Sequence, residues 1–429
     1  MRSLFFTVVF TLFTAIAFGQ EVSRQVQWRL DPILNSVKVT EAEKRELITA
    51  IEKFQEKELE IRSSDNPDNK EEKNKNARCY LAEVEDILGE KRFNKWRNDL
   101  RKGNNSSNNT EAAKNRGNKA YPIHVDDMPA RDPYVYVDEK SKHYYMHLND
   151  RLKIGLYKSP DLENWVRVGT TFEAPTDFWG TRDFWAPDTY YYNGKYYVFA
   201  SFSNPETKMK GTSALVSEKL EGPYKPLVNQ PITPADWRCL DGYLYVDDDS
   251  RPWLLFCRAF HSVPDGAGRI YAQKLSSDLK TTIGDPILLF KASEAPWAGT
   301  ITFNGVRGYV TDSPFIYRAN NGELLMLWSS FAKSPSRYVI GVARSSNGRL
   351  DGEWIQDEKP LNSEITGGGH AMIFTDLEGK LRIAYHAPNK NARPKFYWLE
   401  DINGKLKIKM KKSLVSGKNI SQNEEEPFR

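Results

Sequence analysis

The chain is poor in three things, and each shortage excludes a class of protein. It has three cysteines in 429 residues, Cys79, Cys239 and Cys257. That is too few for a disulfide scaffold, and their spacing does not suit a zinc site. Cys239 and Cys257 flank one hairpin, so both a cross-strand bridge and two buried thiols are open readings. An excess of one charge is also missing. Sixty-one basic and 57 acidic residues leave a net charge of +4, which does not argue for nucleic acid. Finally, no apolar run reaches the roughly 20 residues needed to span a bilayer.

The longest apolar stretch, Leu4 to Phe18, follows Arg2 and ends at Ala17-Phe18-Gly19. A positive start, an apolar core and small flanking residues form a secretory signal pattern. Residues 1–20 therefore read as a signal peptide, with no cysteine nearby to accept a lipid. The mature protein is expected to be secreted or periplasmic, with no membrane span.

Residues 21–101 read as a small α-helical domain. Thr40-Glu41-Ala42-Glu43 has the form of a capping box, and Leu47, Ile48, Ile51, Phe54 and Ile61 follow at helical spacing. A polar loop from Ser63 to Asn76, a helix from Ala77 to Leu88 and a short helix carrying Phe93 and Trp96 complete it. The segment resembles the helical-hairpin modules of bacterial periplasmic proteins. Residues 102–120, rich in Asn, Ser and Gly, read as a linker, and 413–429 as a polar tail.

What is abundant lies between them. The chain has 11 Trp, 21 Tyr and 21 Phe, and one aromatic pattern recurs five times. Its copies are Arg131-Asp132-Pro133-Tyr134, Trp185-Ala186-Pro187-Asp188, Cys239-Leu240-Asp241-Gly242-Tyr243, Thr311-Asp312-Ser313-Pro314-Phe315 and Gly369-His370-Ala371-Met372. Each leads into a strand, a turn rich in Asp, Asn or Gly, and a second strand. Five such units over residues 121–412 predict a mainly β fold, a five-bladed β-propeller. In that fold the first strand of each blade lines a central channel. Asp132, Asp188, Asp241, Asp312 and His370 are then expected to converge there. Clustered carboxylates cannot all keep ordinary pKa values, and a pair driven apart suits acid/base work on a glycosidic bond.

Residues 121–410 resemble glycoside hydrolase family 43 in these same motifs. Arg131-Asp132-Pro133 is similar to its first-blade motif, and Trp185-Ala186-Pro187-Asp188 to its second. Leu240-Asp241-Gly242 is similar to the third, and Gly368-Gly369-His370 to the fifth. The resemblance implies an inverting enzyme with Asp132 as general base, Asp241 as pKa modulator and Asp312 as general acid. At the fourth motif the family usually has Glu-Gly-Pro, where this chain has Asp312-Ser313-Pro314. Asp is one methylene shorter, so Glu294 stays open as an alternative acid. Asp188, Trp185, His370 and Trp297 are expected to bind substrate, with Trp179 and Trp328 as further stacking residues. No cofactor is required. A structural calcium ion, if one binds, belongs near His370. The expected activity is release of arabinofuranosyl or xylosyl residues from plant-type polysaccharides, by an α-L-arabinofuranosidase or a β-xylosidase. The alternative is a propeller that binds carbohydrate without cutting it.

Overall fold

A computed structural model describes residues 23–63, 70–105, 122–303, 305–364 and 367–410. The signal pattern, part of the polar loop, most of the linker and the tail lie outside the described residues. The chain forms two compact units, Met1–Arg101 and Lys102–Arg429.

The described residues of the first unit form four helices: α1 (Arg24–Ser36), α2 (Glu41–Ser63), α3 (Lys70–Leu88) and α4 (Glu90–Asn105). The capping box forms as its spacing requires. Thr40 Oγ1 accepts the Glu43 amide at 3.2 Å, and Glu43 accepts the Thr40 amide at 2.8 Å. Gly89, at φ +71°, lets α3 end and α4 begin without a steric penalty. Helix α1 escaped the sequence reading because Pro32 sits inside it. Its apolar residues Val26, Leu30 and Ile33 are nevertheless spaced by four and three, and all three are buried. Helices α3 and α4 are longer than expected, so the polar loop and the linker are each shorter.

The second unit is the expected five-bladed propeller. Blade 1 runs Tyr136–Asp138, His143–Asn149, Lys153–Ser159 and Asn164–Glu173, with Ile123–His124 added at its outer edge. Blade 2 is Arg182–Tyr192, Lys195–Ser203, Lys210–Ser217 and Lys225–Pro226. Blade 3 is Cys239–Val246, Pro252–Arg258, Arg269–Leu275 and Thr282–Lys291. After a small hairpin, blade 4 is Asp312–Arg318, Leu324–Phe331, Tyr338–Ser345 and Trp354–Gln356. Blade 5 is Gly369–Thr375, Leu381–Ala387, Arg393–Ile402 and Lys405–Lys409. Every blade is an antiparallel meander, and among the described residues no strand is exchanged between first and last blades. Side chains and backbone join that seam instead. The Val135 amide donates to Met372 Sδ at 2.9 Å, and Arg131 donates to the Asn389 carbonyl at 2.6 Å.

The core lies between blades, because each sheet buries both faces. Cys239 pairs with Arg258 and Leu240 with Cys257, so the pleat points the two thiols to opposite faces. Cys239 packs with Phe199 and Phe256, whereas Cys257 packs with Leu255 and Trp328. Both are free thiols, and the cross-strand bridge is excluded by register. Reductant should therefore leave the melting temperature unchanged. A thiol reagent should label Cys79 in the native protein, and Cys239 and Cys257 only after unfolding.

Candidate active site

The inner strand of each blade opens on a kink. In blades 2 to 5 the register between first and second strands breaks near its start, after Trp185, Leu240, Asp312 and Gly369. The next residue in each case has a left-handed backbone: Ala186 at φ 47°, Asp241 at 52°, Ser313 at 52° and His370 at 59°. Asp132 at φ 51° is the counterpart in blade 1. Such β-bulges re-aim side chains, and Asp and His tolerate the left-handed region better than most residues.

This alignment revises the sequence equivalence. Asp132, Asp241 and His370 share one structural position. Asp312 precedes it by one residue, and Asp188 follows it by two. Asp188 therefore sits at the level of Tyr134, Tyr243 and Phe315, the rings that fill the channel.

Four of the five left-handed amides, those of Asp132, Asp241, Ser313 and His370, are held by the neighbouring blade. Asp241 N donates to Ser201 Oγ at 2.8 Å, and His370 N to Ser329 Oγ at 2.8 Å. Asp132 N donates to His386 Nδ1 at 3.2 Å. Ser201, Ser329 and His386 occupy matching positions, opposite Trp185, Asp312 and Gly369. In blade 3 that position is Cys257, a weak acceptor. Ser313 N turns instead to the carboxylate, donating to Asp241 Oδ2 at 3.0 Å. The fourth blade is thus tied directly to the third through a site residue.

These side chains meet in a pocket of about 560 Å³. Asp132, Asp241, Asp312 and His370 line it, with Arg131, Leu148, Asn149, Trp185, Leu240 and Tyr338 on its walls. His370 Nδ1 lies 3.1 Å from Asp132 Oδ1 and 3.9 Å from Asp241 Oδ2. Tyr338 donates its hydroxyl to Asp312 Oδ2 at 2.9 Å, and its ring stacks on His386 at 5.6 Å.

The environment separates the carboxyls. Burial alone would raise Asp132, but the His370 imidazole beside it outweighs that cost and holds Asp132 well below the usual range. Asp312 moves the other way: burial, then the charge of Asp241, push it up to about 7. Burial also raises Asp241, and it raises Asp188 well above the ordinary value. Burial disfavours charge on His370, yet Asp132 and Asp241 more than offset this and raise it to about 10.

Other expected residues fall elsewhere. Glu294 is exposed on a short 3-10 turn and does not line the pocket. Trp297 is 7 % exposed and packs against the fully buried Trp328 at 5.0 Å, so both tryptophans belong to the core. Trp179 is half-buried and donates to Ser213 Oγ at 2.8 Å, away from the pocket lining. Asp188 is bonded by the Tyr190 hydroxyl at 3.3 Å and lies below the pocket. Trp185 alone of the four tryptophans borders the pocket. Tyr338 was missed, because a tyrosine heading a third strand carries no motif. His370 Nδ1 faces Asp132 at 3.1 Å, and calcium takes six to eight oxygen ligands, waters among them. Among the described residues no three His, Cys, Asp or Glu side chains are placed to share a metal.

A family model of glycosyl hydrolases family 43 matches residues 123–400. The chain belongs to this family. The hydrolase is 29% identical over 282 residues to the extracellular endo-alpha-(1->5)-L-arabinanase 1 of Bacillus subtilis, covering 60% of this chain and 79% of that protein. It is 53% identical to an endo-arabinase of Bacteroides thetaiotaomicron, over 67% of this chain and 99% of that one, with a TM-score of 0.64. A structure named as an endo-1,4-beta-xylanase of the same organism is 25% identical over 66% of this chain and 95% of its own, with a TM-score of 0.53. The residues matched by the family model fall on the propeller. Ser329→Ala leaves the buried His370 amide unpaired, so it should destabilise the hydrolase by about 1–3 kcal/mol in denaturant unfolding.

Proposed function

We propose that this hydrolase is an inverting enzyme that cuts arabinose polymers, with Asp132 as base and Asp312 as acid. One observation carries the reading: two carboxyls in one pocket are driven to opposite protonation states by different neighbours. Asp132, beside the His370 imidazole, stays ionised. Asp312, buried near Asp241, keeps its proton up to about pH 7.

In the proposed step a water loses a proton to Asp132 while its oxygen bonds to the anomeric carbon. On the opposite face Asp312 gives its proton to the glycosidic oxygen as that carbon–oxygen bond breaks. Inversion needs a gap of roughly 6.5–9.5 Å between the two carboxyls for the water. Asp241 supports the acid twice: its charge raises Asp312, and it anchors the Ser313 amide next to it. Tyr338 fixes Asp312 Oδ2, which leaves Oδ1 to carry the proton toward the sugar. A strongly stabilised carboxylate is a weak base, so Asp132 serves mainly to hold the water and take its proton late in bond formation.

Sequence alone favoured release of terminal arabinofuranosyl residues, with xylosyl as the alternative. The relatives named as endo-arabinanases favour internal cleavage of α-(1→5)-linked arabinan. The signal pattern and a relative named as extracellular support export. The binding-only reading rests on the shorter reach of Asp312.

Linear arabinan should yield a ladder of oligosaccharides. Arabinose as sole product would show terminal release, xylose from xylan would favour the xylosidase, and sugar binding without turnover would leave a binding protein. Asp132→Asn should abolish turnover without unfolding. Asp312→Asn should slow a substrate with a poor leaving group by about 10²–10⁴-fold, while Glu294→Gln leaves it unchanged.

The kcat/KM profile should be bell-shaped. Its acid limb should lie below the ordinary aspartate value of about 4, since Asp132 must be ionised. Its alkaline limb should fall near pH 7, where Asp312 loses its proton, and should disappear in Asp312→Asn.

A further inference from the structure

Trp185 is 41 % exposed, and its ring borders the pocket. The strand that carries it is unusual. Its register breaks twice, between Arg182 and Trp185 and again between Trp185 and Asp188. Asp183 at φ 52° and Ala186 at φ 47° flank the tryptophan with left-handed backbone. The double break thrusts the indole out of the blade, where few neighbours would fix its side-chain torsions.

One neighbour does. Lys210, at the start of the third strand of blade 2, places Nζ 3.1 Å from the centroid of the Trp185 ring. The same ammonium is 3.0 Å from Asp183 Oδ2, which also accepts the Ser203 hydroxyl at 2.7 Å. The Lys210 side chain is only 16% exposed and is not among the residues lining the pocket. The ammonium covers one face of the indole and leaves the other free of it. Burial disfavours the ammonium, and Asp183 offsets part of that cost. A buried lysine with one carboxylate partner and one aromatic partner is an expensive way to fill space that a leucine could fill. Its distinctive property is that it fixes direction.

We propose that Lys210 is a positioning residue: with Asp183 it clamps the Trp185 indole as a one-faced stacking platform for a sugar ring at the pocket rim. This rests on the carbohydrate-hydrolase reading above. The apolar C–H face of a sugar packs on a flat ring, and a platform ordered before binding loses less freedom on binding. The cation is held by the quadrupole of the ring it covers.

Two measurements test the clamp. The first needs no ligand. In 5-fluorotryptophan-labelled protein, the Trp185 resonance is assigned with Trp185→Phe. Lys210→Met keeps the stem and removes the charge, so that resonance should shift and broaden, with Lys210→Arg restoring it in part. A sharp, unmoved resonance overturns the proposal. The second is calorimetry of arabino-oligosaccharides with Asp132→Asn protein, which does not turn them over. Lys210→Met should weaken binding by about two- to thirtyfold, the range of a cation–π contact, and should have no effect once Trp185 is alanine. An equal loss in the Trp185→Ala background overturns the platform, since Lys210 then meets the sugar itself. If Asp132→Asn protein binds no arabino-oligosaccharide while the fluorine signal still depends on Lys210, the clamp stands and the proposed substrate falls.

Discussion

The site depends on five left-handed residues being held at the mouth of one channel. A non-glycine residue in this region is strained, and the strain persists only where the surroundings over-determine it. At four of the five the neighbouring blade does so. Ser201, Ser329 and His386 each accept the amide of a left-handed residue one blade further round the ring. The blades are therefore coupled at the point where the chemistry gathers, although among the described residues no strand crosses between them.

The exception shapes the chemistry. Cys257 stands where other blades offer a hydroxyl or an imidazole, so the Ser313 amide is left to Asp241. Asp241 is then fixed beside Asp312, and its charge helps keep the Asp312 proton in place. On the other side His370 lies 3.1 Å from Asp132 and holds it ionised, while His386 accepts the Asp132 amide. Two aspartates of identical intrinsic chemistry thus differ because of what the adjacent blades present to them.

Much of this was legible in the chain. The five hairpins carry strand-forming aromatics and Asp, Asn or Gly turns, local signals that survive without tertiary context. The capping box before α2 was legible for the same reason. Helix α1 was not, since Pro32 interrupts a pattern that packing completes. The tryptophans divided by burial, which no local pattern reveals: Trp297 and Trp328 went to the core, and Trp185 to the pocket. Asp188 looked equivalent to Asp132, because a repeat read from sequence does not show where a bulge falls. A shift of two residues moved Asp188 from the pocket to the aromatic layer beneath it.

By itself the sequence determined the architecture and the identity of the residues at the channel mouth, because alternation, turns and motifs are properties of neighbours along the chain. Only the tertiary structure decided which of them share a position, which is charged and which keeps its proton. Those outcomes depend on distances between blades. Lys210 and Trp185, 25 residues apart in the chain and 3.1 Å apart in space, make the same point.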